Sequence, residues 1–319
     1  MPPRFMPAWW LPNRHLQTIY GSLFVPAPRL AFRRQRWDTP DGDFVDVDFV
    51  DGPEGAPWIH LFHGLEGSSN SSYSRALMAH VARRGWRGSV FHFRGCSGEP
   101  NRLPRAYHSG DSTEIDWALR RVRALAGDAP FYATGVSLGG NALAKWLGER
   151  GEEARGIVTA AAVACAPLDL MAAGDTLGEG FALIYAKHFL ASLKRTSLAK
   201  LERYPGLYDE RSVRRAATLR DFDNVVTAPV HGFRDTDDYW TRASAKPLLA
   251  GVRVPLLVVN ARDDPFMPES ALPTEREVSA TVKLEFPARG GHVGFVSGPF
   301  PGNVDWLPRR ILHFFEHHE

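Results

Sequence analysis

The stretch Gly135-Val136-Ser137-Leu138-Gly139 follows a strand-like run, 130–134, and leads into a helix-like run, 141–147. This context predicts that Ser137 lies on a sharp strand-to-helix turn, which exposes its hydroxyl as a candidate nucleophile. A serine on such a strained turn leaves no room for side chains two positions before and after it, and both positions are glycine. Because 29 of the 319 residues are glycine, the bare pattern arises by accident in roughly one such chain in seven. The assignment of Ser137 as a nucleophile therefore needs support from other parts of the sequence.

Strand-like and helix-like runs alternate on both sides of this turn. Val45, Val47 and Phe49 alternate with Asp46 and Asp48, which predicts a half-buried antiparallel strand at a sheet edge. The other expected strands are 58–62, 89–93, 131–134, 157–164, 255–260 and 281–286, and the expected helices are 73–84, one that begins at Asp111 with Glu114 in a capping box, 138–147 and 304–317. The alternation predicts an α/β fold, a mostly parallel sheet of the eight-stranded type with helices on both faces.

The alternation stops between residues 168 and 251, where runs such as 181–193 and 212–219 are typical of helices. We expect a helical cap or lid at 168–251, inserted into a core made of 1–167 and 252–319. A helical layer that only covers the sheet is the alternative.

Composition narrows the class of partner. The net charge is +2, from 38 basic and 36 acidic residues, so a nucleic-acid partner is not expected and a small-molecule substrate is favoured. The two cysteines, Cys96 and Cys165, form neither a disulfide framework nor a metal-ligand spacing. They favour a reducing compartment, and we expect a cytoplasmic protein.

The sequence does not predict stable membrane insertion. Residues 1–16 lack the charged and apolar regions of a secretion signal. The longest apolar tract, 156–173, contains Pro167 and Asp169 and is typical of a buried strand that enters a turn. The aromatic patch at 7–11 is expected to pack on its own domain, with contact to lipid as the alternative.

Two later loops supply the base and the acid that a serine nucleophile requires. Asp264 follows the predicted strand 255–260, and His292 lies between glycines after the final strand. The order Ser137, Asp264, His292 is the order expected after a nucleophile elbow. Asp263 is the rival acid; a turn-forming aspartate or a surface histidine is the alternative for each residue alone.

The loop His63-Gly64-Leu65-Glu66-Gly67 follows a central strand and is predicted to border the nucleophile. We expect the backbone N–H groups of Leu65 and Leu138 to form an oxyanion hole.

Gly64, Arg94 and His108 are the candidate substrate-binding residues, with an ion pair or a turn as the alternative role for the last two. His60 and His63 would point to opposite faces of a strand, so no metal site is expected, and no cofactor is predicted. Trp240 and Phe233 are candidates for the wall that ends the acyl pocket.

Seven motifs together resemble the YheT-like branch of the α/β-hydrolase superfamily, and they extend over nearly the whole chain. They are Asn13-Arg14-His15-Leu16-Gln17-Thr18, residues 63–67, residues 93–100, residues 135–141, Asp221-Phe222-Asp223 with His231-Gly232-Phe233, residues 263–266, and residues 291–295. The resemblance implies an α/β-hydrolase fold, a triad at Ser137, Asp264 and His292, and hydrolysis of carboxylic esters.

The expected function is therefore cleavage of short- to medium-chain acyl esters, including lipid-like ones, through an acyl-enzyme. An acyltransferase with the same triad and a catalytically silent binding protein of the same fold are the alternatives. Oligomeric state is not addressed by any motif.

Overall fold

A computed structural model describes residues 2–318. Its eight strands form one sheet in the order β1-β2-β4-β3-β5-β6-β7-β8. The strands are β1 (Arg33–Asp38), β2 (Phe44–Val50), β3 (Trp58–Phe62), β4 (Arg87–Phe91), β5 (Phe131–Val136), β6 (Ala160–Ala164), β7 (Leu256–Val259) and β8 (Val282–Glu285). Strands β3 to β8 run parallel, and β1 and β2 are antiparallel. The predicted mostly parallel sheet is confirmed.

Helices cover both faces of the sheet. They are α1 (Arg14–Leu23), α2 (Ser72–Arg83), α3 (Ser112–Ala126), α4 (Leu138–Arg150), α5 (Leu170–Leu177), α6 (Leu183–Arg203), α7 (Glu210–Arg215), α8 (Leu219–Phe222), α9 (Ala228–Val230), α10 (Thr236–Ala243) and α11 (Trp306–His317). Side chains of α2 and α11 pack in one core cluster and those of α3 and α4 in the other, as a two-sided parallel sheet requires. Among residues 2–318, no helix has the length and apolar character to cross a bilayer.

Strand β2 differs from the prediction, because it is fully buried and is not at the edge. Strand β1 pairs with it and takes the edge position. Arg34 and Arg36 of β1 reach across to Asp48 and Asp46, with shortest distances of 2.7 and 2.9 Å. These ion pairs satisfy carboxylates that the alternating pattern had assigned to solvent.

The capping box predicted at α3 is only half present. Asp111 accepts the N–H of Glu114 at 3.3 Å, as a helix cap should. The Glu114 carboxylate turns away and binds the guanidinium of Arg94 at 2.8 Å. A buried ion pair therefore replaces the reciprocal bond of the box.

Helices α5 to α10 all lie between β6 and β7, and we call residues 168–251, which contain them, the helical insertion. Lys200 of α6 joins this insertion to a core loop, since its Nζ donates to the carbonyls of Leu103, Pro104 and Arg105 at 3.2, 3.0 and 2.8 Å. Burial lowers the pKa of Lys200 to about 8. The insertion is thus attached to the core beside the carboxyl ends of the strands.

Candidate active site

The turn that carries Ser137 joins the end of β5 to the start of α4. The backbone of Ser137 has φ of 52° and ψ of −122°, a conformation that residues other than glycine rarely adopt. A Cβ on Gly135 would lie 2.5 Å from the carbonyl oxygen of Gly139, and a Cβ on Gly139 would lie 2.5 Å from that of His63. Both glycines are therefore required by close backbone approach.

Ser137 and His292 meet at the carboxyl edge of the sheet. The Ser137 Oγ lies 3.0 Å from His292 Nε2, and Asp264 Oδ2 lies 2.8 Å from His292 Nδ1. The second oxygen of Asp264 accepts the N–H of Phe266 at 2.8 Å, which fixes the carboxylate plane. The structure thus brings the predicted serine, histidine and aspartate into one continuous hydrogen-bonded chain.

The His292 ring is also held by packing. Phe266 stacks on it with a centroid distance of 3.9 Å and an interplanar angle of 13°. This contact restrains the ring without using either nitrogen.

Cys165, Asp264 and His292 could also be considered as metal ligands, because their donor atoms lie within 4.8 Å of one another. Both nitrogens of His292 already have partners, and burial raises the pKa of the Cys165 thiol well above its usual value. The thiol also accepts the N–H of Val293 at 3.2 Å. A protonated thiol is a poor metal ligand, so the cluster fits a hydrogen-bonded chain better than a metal site.

The rival acid, Asp263, contacts the same loop at a different atom. Its Oδ1 accepts the backbone N–H of Gly291 at 2.9 Å, whereas Asp264 reaches the imidazole. Burial raises the pKa of Asp263. Asp263 therefore binds the backbone of the loop, whereas Asp264 binds the ring of His292.

Helix α1 contacts the other side of the loop that carries His292, which we call the histidine loop. Thr18 Oγ1 accepts the backbone N–H of His292 at 2.9 Å and donates to the carbonyl of Arg14 at 2.9 Å. Gln17 accepts the N–H of Val296 at 2.8 Å. These residues belong to a motif that the sequence analysis used only for recognition, and their role was missed.

Close packing explains the glycines of this loop. At Gly291, where φ is 59°, a Cβ would lie 2.6 Å from the Arg14 carbonyl oxygen and from Thr18 Oγ1. At Gly294 it would lie 2.3 Å from the carbonyl oxygen of Gln17. Flanking glycines thus let the loop lie directly on the backbone of α1.

The loop predicted to form the oxyanion hole leaves one backbone amide unused. Tyr73 Oη accepts the N–H of Gly64 at 2.8 Å, and Tyr107 Oη accepts the N–H of Glu66 at 2.9 Å. Leu65, between them, has no acceptor for its N–H within residues 2–318. The two tyrosines, which the sequence analysis did not select, hold the loop by the amides on either side of Leu65.

The second predicted donor lies at the start of α4. Leu138 N–H has no acceptor in the described part of the chain, whereas the next amide, Gly139 N–H, donates to His63 O at 3.1 Å. A Cβ on Gly64 would lie 3.1 Å from the Cβ of Ser137, so the loop runs directly against the serine. Two unused amides therefore flank Ser137.

His63 supports this loop in a defined tautomer. Its Nε2 accepts the N–H of Phe93 at 3.2 Å, so its Nδ1 carries the proton and donates to the carbonyl of Gly64 at 2.7 Å. Burial lowers the pKa of His63 to about 3. His60 is engaged elsewhere, with Ser89 Oγ 2.7 Å from its Nδ1. Both histidines have structural partners.

A pocket lies between the sheet edge and the helical insertion, with Ser137 and His292 in its lining. Much of the lining is apolar and comes from the insertion, including Leu170, Ala173, Leu177, Phe189, Leu193, Leu219, Phe222, Val226 and Trp240. Phe233 lies instead against Tyr239, at a centroid distance of 5.1 Å. Of the two aromatic residues predicted as a wall, Trp240 lines the pocket.

Arg94 is occupied by carboxylates. Its nitrogens bind Glu114 at 2.8 Å, Asp41 at 2.9 Å and Asp43 at 3.0 Å. The guanidinium is buried, and each of its three nitrogens has a carboxylate partner. The structure therefore gives Arg94 an ion-pair role and does not leave its donors free for a substrate.

His108 lines the pocket as a neutral ring, because burial lowers its pKa to about 3. Its Nδ1 accepts the N–H of Gly110 at 3.2 Å, and its ring lies 4.7 Å from that of His231. It contributes surface to the pocket rather than charge.

Comparison with known proteins identifies the family of the chain. The family model described as the alpha/beta hydrolase fold matches residues 57–299. The chain is 41% identical to the esterase candidate YheT of Escherichia coli (strain K12), over 96% of this chain and 91% of that protein. It is 30% identical to the phospholipase ABHD3 of Mus musculus, over 98% of this chain and 78% of that protein.

A solved structure supports the fold alone. The alpha/beta hydrolase domain-containing protein 10 from mouse shares 14% identity with a TM-score of 0.51, over 82% of this chain and 90% of that chain. Sheet order, elbow, family model and relatives agree, and the chain belongs to the α/β-hydrolase family, in its YheT-like branch.

Proposed function

We propose that the protein is a serine hydrolase that cleaves carboxylic esters through an acyl-enzyme, with Ser137, His292 and Asp264 as its triad. The observation that carries this proposal is the chain of two hydrogen bonds, 3.0 Å from Ser137 Oγ to His292 Nε2 and 2.8 Å from His292 Nδ1 to Asp264 Oδ2. Names of relatives, an esterase candidate and a phospholipase, support ester substrates.

In the first step His292 accepts the Ser137 proton while the serine oxygen attacks the ester carbonyl. The N–H groups of Leu65 and Leu138 donate to the oxyanion that forms, and their lack of other acceptors supports this role. Asp264 remains ionised and stabilises the imidazolium. Collapse of the intermediate passes the proton to the leaving alcohol.

In the second step a water molecule gives its proton to His292 and attacks the acyl-enzyme, which releases the acid and restores Ser137. The apolar pocket walls suit an acyl chain, and the indole of Trp240 is a candidate for its end. We therefore propose short- to medium-chain acyl esters, including lipid-like ones. The two free cysteines suit a reducing compartment, so the proposal includes a cytoplasmic location.

The test compares wild type, Ser137→Ala and a control, Ser270→Ala at an exposed serine, on p-nitrophenyl esters of increasing acyl length. We expect Ser137→Ala to lower kcat/KM at least about 1000-fold, with unchanged activity in the control. A fluorophosphonate probe should label wild type and the control only. Equal rates in the three proteins, or an unlabelled wild type, would refute the proposal and favour a binding protein.

A further inference from the structure

Exposed apolar side chains are concentrated in one region. Within residues 2–318, nine large hydrophobic residues are strongly exposed, and eight of them lie in 6–24, in 181–184 or at Phe300. The ninth, Leu125, lies apart on α3. Trp9 is 84% exposed, Leu23 is 72% exposed and Phe300 is 74% exposed. Single exposed hydrophobics are ordinary, but such a concentration indicates a contact surface.

Helix α1 buries two polar side chains and exposes its two leucines. Gln17 and Thr18 are buried and hold the histidine loop. Leu16, Leu23 and the following residue, Phe24, are exposed. The inward face of α1 binds the loop that carries His292, so the exposed apolar side chains of the helix make no contact with that loop. They are available to a partner outside the domain.

Ring contacts join the exposed residues into one surface. Phe300 contacts Trp10, with centroids 5.4 Å apart. Tyr20 contacts Trp10 at 5.0 Å and Phe24 at 5.5 Å. Trp10, Tyr20, Phe24 and Phe300 therefore form one connected aromatic cluster, and the other exposed apolar residues of 6–24 lie in the same segment.

The same area extends to the helical insertion and the pocket wall. His15 of α1 lies 4.2 Å from Phe181 and 5.9 Å from Tyr185, measured between ring centroids. Tyr185 contacts Phe266 at 4.8 Å, and Phe266 stacks on His292. We call this area, residues 6–24 with 181–184 and Phe300, the α1 surface.

Basic residues predominate in the segments that carry or adjoin the α1 surface, residues 1–37, 179–187 and 297–303, where Glu179 is the one acidic residue. Residues 1–37 contain six arginines and no aspartate or glutamate. Arg4, Arg14 and Arg29 are exposed, as is Lys187 beside the 181–184 segment, and in the described part of the chain none of these four lies within 4.0 Å of a carboxylate oxygen. Cations that rim an exposed aromatic and aliphatic area complement anionic lipid headgroups.

We propose that the α1 surface docks the protein on an anionic phospholipid bilayer, peripherally and without insertion of a helix across it. The apolar side chains enter the acyl boundary while the cations contact the headgroups. Docking would place Phe181 against the lipid, and Phe181 lies 6.2 Å from the buried Tyr185, measured between ring centroids. The proposal concerns binding and is independent of the proposed reaction, because it is measured with the Ser137→Ala variant.

The test is sedimentation of Ser137→Ala protein with vesicles of phosphatidylcholine and phosphatidylglycerol, compared with vesicles of phosphatidylcholine alone. We expect binding to the anionic vesicles that is weakened by added salt. Adding Leu23→Glu and Phe24→Glu should lower the partition coefficient at least about tenfold. Leu125→Glu, a matched change at the exposed leucine outside the surface, should leave it unchanged.

Several results would overturn the proposal. One is failure of the Ser137→Ala protein to bind anionic vesicles at low salt; another is equal loss of binding in the Leu125→Glu control. A dimer in light scattering that Leu23→Glu and Phe24→Glu convert to a monomer, without vesicle binding, would assign the surface to a second copy of the chain. If that variant does not fold by circular dichroism, Trp9→Ser with Phe181→Ser tests the same surface, with the same expected loss.

Discussion

Replacement of Thr18 by valine tests whether helix α1 positions the proposed base. The change keeps the shape of the side chain but removes the hydroxyl that accepts His292 N–H at 2.9 Å and donates to Arg14 O at 2.9 Å. Thr18 is only 8% exposed, so water cannot easily replace this oxygen. An unpaired buried donor costs about 1–3 kcal/mol.

If that cost is relieved by a shift of the histidine loop, His292 Nε2 leaves its position beside Ser137. A transition-state loss of that size lowers kcat between about 5-fold and about 150-fold. KM should change little, because Thr18 is not part of the pocket lining. Steady-state kinetics on a short p-nitrophenyl ester, with the rate of fluorophosphonate labelling, measure the effect.

Two controls separate positioning from general stability. Thr18→Ser keeps the hydroxyl and should retain most of the activity. Thr159→Val removes the bond from Phe131 N–H to Thr159 Oγ1, 3.1 Å long, at an exposed threonine beside the amino ends of β5 and β6. It should lower the free energy of unfolding without changing kcat. The reasoning is refuted if Thr18→Val keeps the wild-type kcat, or if Thr159→Val lowers kcat equally.

Three further predictions follow from the site. Asp264→Asn should lower kcat about 1000-fold or more, while Asp263→Asn, which keeps an acceptor for Gly291, should lower it less than about tenfold; the reverse ranking in steady-state kinetics would make Asp263 the acid. Tyr107→Phe removes the acceptor of Glu66 N–H and should lower kcat about tenfold by loosening the oxyanion loop, and an unchanged kcat would separate that loop from catalysis. Burial raises the pKa of Asp223 to about 6 from an ordinary 3.8, so its stabilising contribution is greatest at low pH and is lost as the pH rises through 6. Relative to wild type, Asp223→Asn should therefore gain stability as the pH rises from about 4 to about 6, by up to about 3 kcal/mol in urea unfolding, with no further gain above about pH 6; a pH-independent difference would contradict this.

The elements that positioned the nucleophile could be predicted because their signals are local. The glycines around Ser137 report a steric requirement within a few residues, and the structure gives that requirement a distance of 2.5 Å. The apolar run of β3 likewise reports burial on both faces. Strand β1 gave no such signal, because it is rich in arginine and is held by ion pairs to β2.

Contacts between distant parts of the chain explain what the sequence analysis missed. Thr18 is 274 positions from His292, and nothing near either residue predicts their bond. Tyr107 is 41 positions from Glu66, and Arg94 binds the carboxylates of Asp41 and Glu114 through tertiary contacts. The local sequence pattern indicates which side chains can form hydrogen bonds or ion pairs. Which residue each side chain contacts depends on how the helices and the sheet pack together.

The support of His292 by Thr18 makes the proposed base dependent on two segments that are 274 positions apart. The turn that carries the nucleophile involves only β5 and α4, whereas the imidazole is aligned only when the segment around Thr18 packs on the segment around His292. Removal of residues 2–24 would spare all three triad side chains and still misplace the proton acceptor. Catalytic competence would then report that these two distant segments have docked.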